Sequence, residues 1–509
     1  MVCVVFFITN NPSINSSHLK LVEDSLAFRG PDFSSGFINT NGWIVYHSRL
    51  SIIDLTEDAN QPIFDSKGGV LVFNGEILNF KELGIKYFNK DFESDSKLLS
   101  ALLERKLIDL NEFDGFFSFV YVNHNGKLEY AVRDKFGVKP LFYHKSEEGY
   151  LSFSSEPSLL NRLYNCGLNK DAIDEYYSIR YPIFSGSYFN DVFCINPGEC
   201  YINGEYFNIL NYFSGKYVET NINEIELSIK KGIKTRKVSD APVGLLLSKG
   251  IDSNLLNTLS EFNFKYSIGF KGDADLEYLK QQNIKNLKIV ECNNQLYKDA
   301  FDYLIKLRGE PMSVPNEVLL YLIAKEAASD GVKVLLSGEG ADEFFGGYDR
   351  IFTWALYAQE FVLEDFIEHY CYELPAENTK LVYKFKSIFE QVSHLTPFEK
   401  VRWFFIRYHM PILFRRLDFS LMAAGIEGRE PLANIHTFMQ AIKVSPSQLM
   451  TDGLGKIPLR NIIAKYMGKD FAFSSKVGFP VDLRKVFDYT GNETSYEIWF
   501  KENLKGVGI

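Results

Sequence analysis

The sequence predicts a two-part chain, a β-rich α+β half followed by an α/β half on a parallel sheet that ends in a helical stretch. Three observations predict it. Apolar runs of strand length crowd the first 200 or so residues, with Gly- and Asn-containing turn signals between them. From residue 226 onward such runs alternate with helical patterns, as in a doubly wound sheet. One of them, Val243 to Leu247, runs through Ser248-Lys249-Gly250-Ile251-Asp252-Ser253 into a helical stretch read from Asn254 to Leu259. A buried strand, a small-residue turn and a helix N-terminus make an anion site, because backbone N–H groups and the helix dipole converge there.

Length and composition bound the rest. A chain of 509 residues exceeds one core, so two or more domains are expected. Apolar content of 46% and charged content of 24% are those of a soluble globular protein. A net charge of −10 argues against a nucleic-acid partner held by phosphate contacts. The six cysteines form no C-x-x-C pair and the eight histidines no H-E-x-x-H, so zinc and a disulfide framework are not indicated. Val2 to Ile8 is apolar but short and has no basic leader, and no run reaches membrane-span length. A cytoplasmic protein with no membrane partner is expected.

In chain order, strands are predicted at Cys3–Ile8, Trp43–Tyr46, Gly69–Phe73, Phe116–Val122 and Leu128–Val132. Asn74-Gly75 and Asn125-Gly126 read as turns, and His18–Phe28 and Ser94–Arg105 as helices. Asp171 to Ser178 opens a helical linker, followed by a turn at Ile195-Asn-Pro-Gly198. Tyr266–Phe270, Lys288–Val290 and Val332–Leu336 are further buried strands. Residues 351–509 read as mostly helical, with amphipathic stretches at Trp354–Phe366 and Pro397–Tyr408.

Two loops carry the candidate chemistry. Ligands of parallel sheets sit beyond the carboxyl ends of strands. Both the turn after Val243–Leu247 and Ser337-Gly-Glu-Gly-Ala-Asp-Glu-Phe-Phe-Gly-Gly-Tyr348 stand there. The first is not a Walker loop, and alone it would suit a surface corner equally. Asp252 and Asp342 are hard oxygen ligands suited to Mg²⁺, although an acidic Gly-rich loop alone suits Ca²⁺ or no ion as well.

The set of motifs resembles the glutamine-hydrolysing asparagine synthetase family over nearly the whole chain. Ser248-Lys-Gly-Ile-Asp-Ser253 is similar to the S-G-G-x-D-S pyrophosphate loop, with Lys249 in place of its first Gly. Residues 337–348 match the family string S-G-[ED]-G-x-D-E-x-F-G-G-Y. Arg29-Gly-Pro-Asp32, His47–Asp54, Val72–Ile77, Ser94-Asp95, Arg133–Tyr143 and Phe153–Glu156 occur in the order of the family's glutaminase domain. Phe414–Leu432, Gly455–Arg460 and Ser475–Val481 are similar to the later blocks, with Asn434 in place of a closing Asp.

The resemblance implies an Ntn-hydrolase-like αββα sandwich at 1–200, a class II glutamine amidotransferase-type domain. A linker would follow at 201–225, then an asparagine synthetase-type ATP pyrophosphatase domain at 226–509. It implies that Arg49 and Asp95 hold the glutamine carboxylate and amine, that Asn74 and Gly75 form an oxyanion hole, and that Glu76 orients the substrate. Ser248, Gly250 and Ser253 would cradle pyrophosphate, with Leu247, Ile268, Ser337 and Gly338 at the AMP end and Mg²⁺ on Asp252 and Asp342. Glu339 would take a proton from the amine, and Lys476 would neutralise transition-state charge. The partners implied are ATP, a carboxylic acid and ammonia or glutamine, and a homodimer is compatible with them.

One departure bears on the amine source. The family nucleophile is an N-terminal Cys whose own α-amine is its base. Here Val2 takes that place and Cys3 follows, so the glutaminase half is expected to be impaired. Loss of that Cys is typical of the lactam-forming relatives. Amidation of aspartate is therefore the leading expectation, beside amidation of another acid such as a sugar uronate, lactam closure, or a catalytically silent nucleotide-binding protein. Variation at Arg429–Leu432 and Asn434 falls where acceptor choice is expected.

Overall fold

The computed structural model describes residues 2–52, 56–57, 60–474 and 481–509, with residues 2–4 described by backbone alone. The N-terminal half contains β1 (Val2–Thr9), α1 (Leu19–Leu26), β2 (Trp43–Ser51), β3 (Val70–Ile77), α2 (Phe80–Phe88), α3 (Asp95–Glu104), β4 (Gly115–Val122), β5 (Leu128–Arg133), β6 (Phe142–Lys145), β7 (Leu151–Ser154) and α4 (Pro157–Tyr164). β1 pairs antiparallel with β2 and β7, and β3 with β4.

Alternation along the strands builds four layers. Val5 and Phe7 of β1 pack with Val22, Leu26, Leu159 and Leu160 of α1 and α4. Phe6 and Ile8 pack instead with Val70, Val72, Val120 and Val122 of β3 and β4. The opposite side chains of those strands, Leu71, Phe73, Phe119 and Tyr121, join Leu98, Leu99 and Leu102 of α3. The order is helix, sheet, sheet, helix, the αββα sandwich.

The Asn74-Gly75 reading as a turn is corrected. Both residues lie inside β3, opposite Ser118 and Phe117. Gly75 has φ 112°, and a Cβ there would lie 2.1 Å from the Phe116 carbonyl oxygen. The Gly therefore serves a close strand approach and not a chain reversal.

The second half follows α5 (Lys170–Ile179) and α6 (Ile222–Arg236). It contains β8 (Val243–Leu246), α7 (Ile251–Leu259), β9 (Phe264–Phe270), β10 (Leu287–Cys292), α8 (Asn316–Ser329), β11 (Val334–Leu336), α9 (Met410–Met422), β12 (Glu427–Arg429) and α10 (Ile457–Met467). The sheet order is β10-β9-β8-β11-β12, parallel throughout. The helix after the first loop begins at Ile251, not at Asn254, with Gly250 as its N-cap, so Asp252 and Ser253 stand in its first turn. The predicted helical stretch 354–366 is two helices, Asp349–Tyr357 and Leu363–Tyr370. β12 was hidden in the helical stretch, because three residues with two charges carry no apolar strand signal.

The halves share one core. Phe136 packs edge-on against Phe207, Phe344 and Phe438, and the N–H groups of Asp240 and Ala241 donate to the Ile52 carbonyl. Tyr176 of α5 packs among Tyr297, Leu304 and Trp499, and its hydroxyl donates to the Met312 carbonyl at 2.9 Å. The helix thus delivers the residue that caps its C-terminus, Arg180, onto the parallel-sheet half.

Candidate nucleotide and amide-transfer sites

The carboxyl ends of β8, β9 and β11 open onto one cavity of about 470 Å³. Leu247, Ser248, Gly250, Asp252 and Ser253 line it from the β8–α7 turn, and Ile268 from β9. Ser337, Gly338, Glu339 and Asp342 line it from the loop after β11. The two loops touch, since a Cβ on Gly338 would lie 2.8 Å from Asp252 Cβ. The structure therefore brings the described ATP-site candidates together. Lys476 lies outside the described residues.

The β8–α7 turn is braced by its own side chains. The Ser248 N–H donates to Ser253 Oγ (3.0 Å) and the Gly250 N–H to Ser248 Oγ (3.1 Å). Asn254 Nδ2 donates to the Ser248 and Gly250 carbonyls at 2.8 and 2.9 Å. Two of the three backbone donors anticipated for pyrophosphate thus bond serine hydroxyls, which must yield to a phosphate oxygen. Lys249 is absent from the left-handed backbone positions, so it strains nothing. Its Nζ lies 4.0 Å from Asp275 Oδ1 and 5.2 Å from the centre of the Tyr278 ring.

Lys456 was not singled out in sequence, yet it ties the two acidic residues together. Its Nζ lies 2.7 Å from Asp252 Oδ2 and 2.7 Å from Asp342 Oδ1, and it is buried. Burial alone would lower the ammonium's pKa, but the two carboxylates overcome it and hold it above the ordinary range. The remaining oxygen of Asp252, Oδ1, is buried and accepts no hydrogen bond. Two carboxylates against one ammonium leave a net negative centre with an unsatisfied hard oxygen, which fits a divalent cation. Among the described residues no group of three or more His, Cys, Asp or Glu could hold a metal. Lys249, Lys456 and Arg460 surround an adjoining void of about 50 Å³.

The other end of the cavity is cationic. Arg416 Nη2 donates to Glu339 Oε1 at 2.6 Å, and Arg180, Tyr372 and His409 stand on the same wall. Burial, Arg180 and Arg416 push His409 well below its ordinary pKa and keep it neutral. Arg429 and Asn434 are not on this wall. Arg429 is buried between Glu76 and Glu427, and Asn434 caps helix Ile435–Ala441 through the Thr437 N–H. The anticipated link between these positions and acceptor choice finds no support in their placement.

In the N-terminal half, the glutamine-site candidates gather around the start of β1. Val4 is opposite Arg49, and Val2 is opposite Gly75. Arg49 Nη1 donates to Asn60 Oδ1 (2.7 Å) and the Thr56 carbonyl (2.8 Å). Asn74 precedes Gly75 and is buried. Asp95 accepts from the Ile77 and Ser96 N–H groups, yet burial pushes its carboxyl up to about 6. Glu76 is buried, with Oε1 held by Arg429 and Oε2 accepting no hydrogen bond.

Comparison with known proteins agrees with this geometry. Residues 224–504 match the asparagine synthase family, and residues 2–212 match the glutamine amidotransferase domain. The chain is 27% identical to asparagine synthetase (glutamine-hydrolyzing) 1 of Bacillus subtilis strain 168, covering 93% of this chain and 85% of that one. It is also 27% identical to a probable asparagine synthetase (glutamine-hydrolyzing) of Acanthamoeba polyphaga mimivirus, covering 95% and 86%. Identity to asparagine synthetase B (glutamine-hydrolyzing) of Escherichia coli K12 is 28%, over 63% of this chain and 59% of that one.

Proposed function

The chain belongs to the asparagine synthase family, and from that premise we propose that it is an ATP-dependent carbon–nitrogen ligase amidating a carboxylate, aspartate first among the candidates. The observation that carries the proposal is the meeting of both strand-end loops in one cavity with Asp252 and Asp342 bound to a single ammonium. A carboxylate does not react with ammonia at neutral pH, because its oxygen is a poor leaving group. Attack of a carboxylate oxygen on the ATP α-phosphorus breaks the bond to the β-phosphate bridging oxygen. Pyrophosphate then departs, leaving an acyl-adenylate. Attack by ammonia on its carbonyl carbon expels AMP.

Each step has a candidate residue. The α7 N-terminus with Ser248, Gly250 and Ser253 receives pyrophosphate. Lys249, Lys456 and Arg460 are the cationic groups around the adjoining void, beside the carboxylates of Asp252, Asp275, Asp342 and Asp349. Leu247, Ile268, Ser337 and Gly338 take the AMP end. Mg²⁺ on Asp252 and Asp342, when bound, would offset charge on the phosphates. Glu339, oriented by Arg416, takes the proton that the attacking ammonia loses. Lys476 is proposed to neutralise the transition state.

The order Val2-Cys3 supports a reading of the amine source. Val2 stands in register with Gly75, one position before the only nearby thiol in sequence, so ammonia is proposed as the working donor. Arg49, Asn74, Gly75 and Asp95 are proposed to bind glutamine without cleaving it. A pyrophosphate-release screen across candidate acids, with ammonia and then glutamine, tests the reading. Release with aspartate and ammonia supports it, and no acid-dependent release contradicts it.

A further inference from the structure

The nucleotide cavity has two electrical poles. At one, Asp252 and Asp342 face Lys456, a net charge of −1. At the other, Arg416 and Arg180 face a single carboxylate, Glu339, a net charge of +1. Arg416 is paired with Glu339. Arg180 has no carboxylate within ion-pair reach among the described residues. Its guanidinium lies 4.0 Å from the centre of the Tyr372 ring, its Nη1 donates to the Tyr496 hydroxyl at 3.2 Å, and its Nε is buried without an acceptor. A partly buried guanidinium that faces a cavity without a counter-ion favours a ligand that supplies one.

The backbone gives an independent sign. Arg180 ends α5 in the left-handed region, at φ 65°. Gly takes that conformation freely, whereas Arg holds it at a steric cost. The position therefore keeps a side chain where the chain turn favours none. The Tyr372 and Tyr496 rings, 4.5 Å apart, brace the guanidinium.

We propose that Arg180 is a specificity-determining residue that binds the second, non-reacting carboxylate of a dicarboxylate acceptor. The proposal rests on the ligase reading for the identity of the reacting carboxylate. It deepens that reading by excluding acceptors with a single acid group. The fork of Arg180 matches a carboxylate, and Asn316 at the start of α8 lines the same cavity with amide donor and acceptor groups. The bound anion would convert the net positive pole to neutrality.

The test measures binding directly, with the full chain and a non-hydrolysable Mg–ATP analogue present. Aspartate is titrated against 3-aminopropionate, which keeps the reacting carboxylate and amine but lacks the second acid. Aspartate is expected to bind the natural protein at least 10-fold more tightly. Arg180→Gln should weaken aspartate binding about 10- to 100-fold and leave nucleotide binding unchanged. Arg180→Lys should fall between, and the unliganded melting temperature of each variant checks the fold. Equal binding of the two acids, no aspartate binding by the natural protein, or unchanged aspartate binding in Arg180→Gln would overturn the subsite. Parallel loss of nucleotide binding would also overturn it, by assigning Arg180 to a phosphate. Intact aspartate binding without any pyrophosphate release would instead contradict the ligase reading alone and leave the subsite standing.

Discussion

Arg429 Nη2 lies 2.5 Å from Glu76 Oε1, with both side chains fully buried at the junction of the two halves. Glu76 follows Gly75 on β3, while the Arg429 carbonyl accepts the Ser337 N–H at 2.9 Å. One residue thus touches the root of the nucleotide loop with its backbone and the glutamine-site strand with its side chain. Arg429→Met should destabilise the chain by about 3–5 kcal/mol, since buried Glu76 would lose its guanidinium partner and Glu427 would keep Lys139 at 3.6 Å but lose the Arg429 Nε contact. Adding Glu76→Gln should recover part of that loss. Denaturant melts of the two single variants and the double variant measure the coupling, and strict additivity would contradict the pair.

Asp95 sets a pH dependence. Burial raises its carboxyl from 3.8 to about 6, so the folded chain holds the proton more tightly than the unfolded chain. Its contribution to stability is fully present below 3.8 and is lost as pH rises through about 6, a loss of about 3 kcal/mol by neutral pH. The ionised form, which a glutamine amine needs, appears over the same window. Glutamine should therefore bind more tightly at pH 7.5 than at pH 5, and Asp95→Asn should weaken binding and flatten the profile. Titration calorimetry at the two pH values is the check.

The Lys456 bridge makes two variants informative. Asp342→Ala should reduce pyrophosphate release at least about 100-fold while the fold survives, because several kcal/mol of charge stabilisation is lost. Lys456→Met should leave Asp252 and Asp342 facing each other unneutralised. It should lower stability by about 3 kcal/mol and strengthen nucleotide-free Mg²⁺ binding. Unchanged turnover in Asp342→Ala would rule out the metal assignment.

The N-terminal order of residues predicts an inactive glutaminase. An N-terminal nucleophile needs its own amine as base, and in Val2-Cys3 the amine belongs to the preceding residue. Protein whose intact mass shows Val2 at its start should use ammonia and release negligible glutamate from glutamine. Deleting Val2, so that Met removal exposes the thiol, should raise glutaminase activity. Glutamate release by the Val2 form above a Cys3→Ala control would contradict the prediction.

The sheet and its two loops were legible because strand, small-residue turn and helix follow one another within about a dozen residues, and local pattern encodes them. The grouping of Leu247, Asp252, Ile268, Ser337 and Asp342 was expected from the family resemblance of the motifs that carry them. Lys456, Arg416 and Arg180 were not. Each lies 70 or more residues from its cavity partner in the chain, and a single basic residue reads as a solvated charge until the fold desolvates it. Asn74-Gly75 misled for the opposite reason, since its strong local turn signal is overridden by strand pairing on both sides. Glu76 matched a glutamine-site motif, but its ion pair comes from a residue on β12, which no periodicity announced.

Oxygen transfer tests the central claim most directly. Aspartate labelled with ¹⁸O in its carboxylates is incubated with Mg–ATP and ammonia, and the nucleotide product is weighed by mass spectrometry. An acyl-adenylate carries one carboxylate oxygen onto the α-phosphate, so the account predicts AMP bearing one ¹⁸O atom for each asparagine formed. Label in inorganic phosphate with ADP as product, or unlabelled AMP accompanying asparagine, would contradict it.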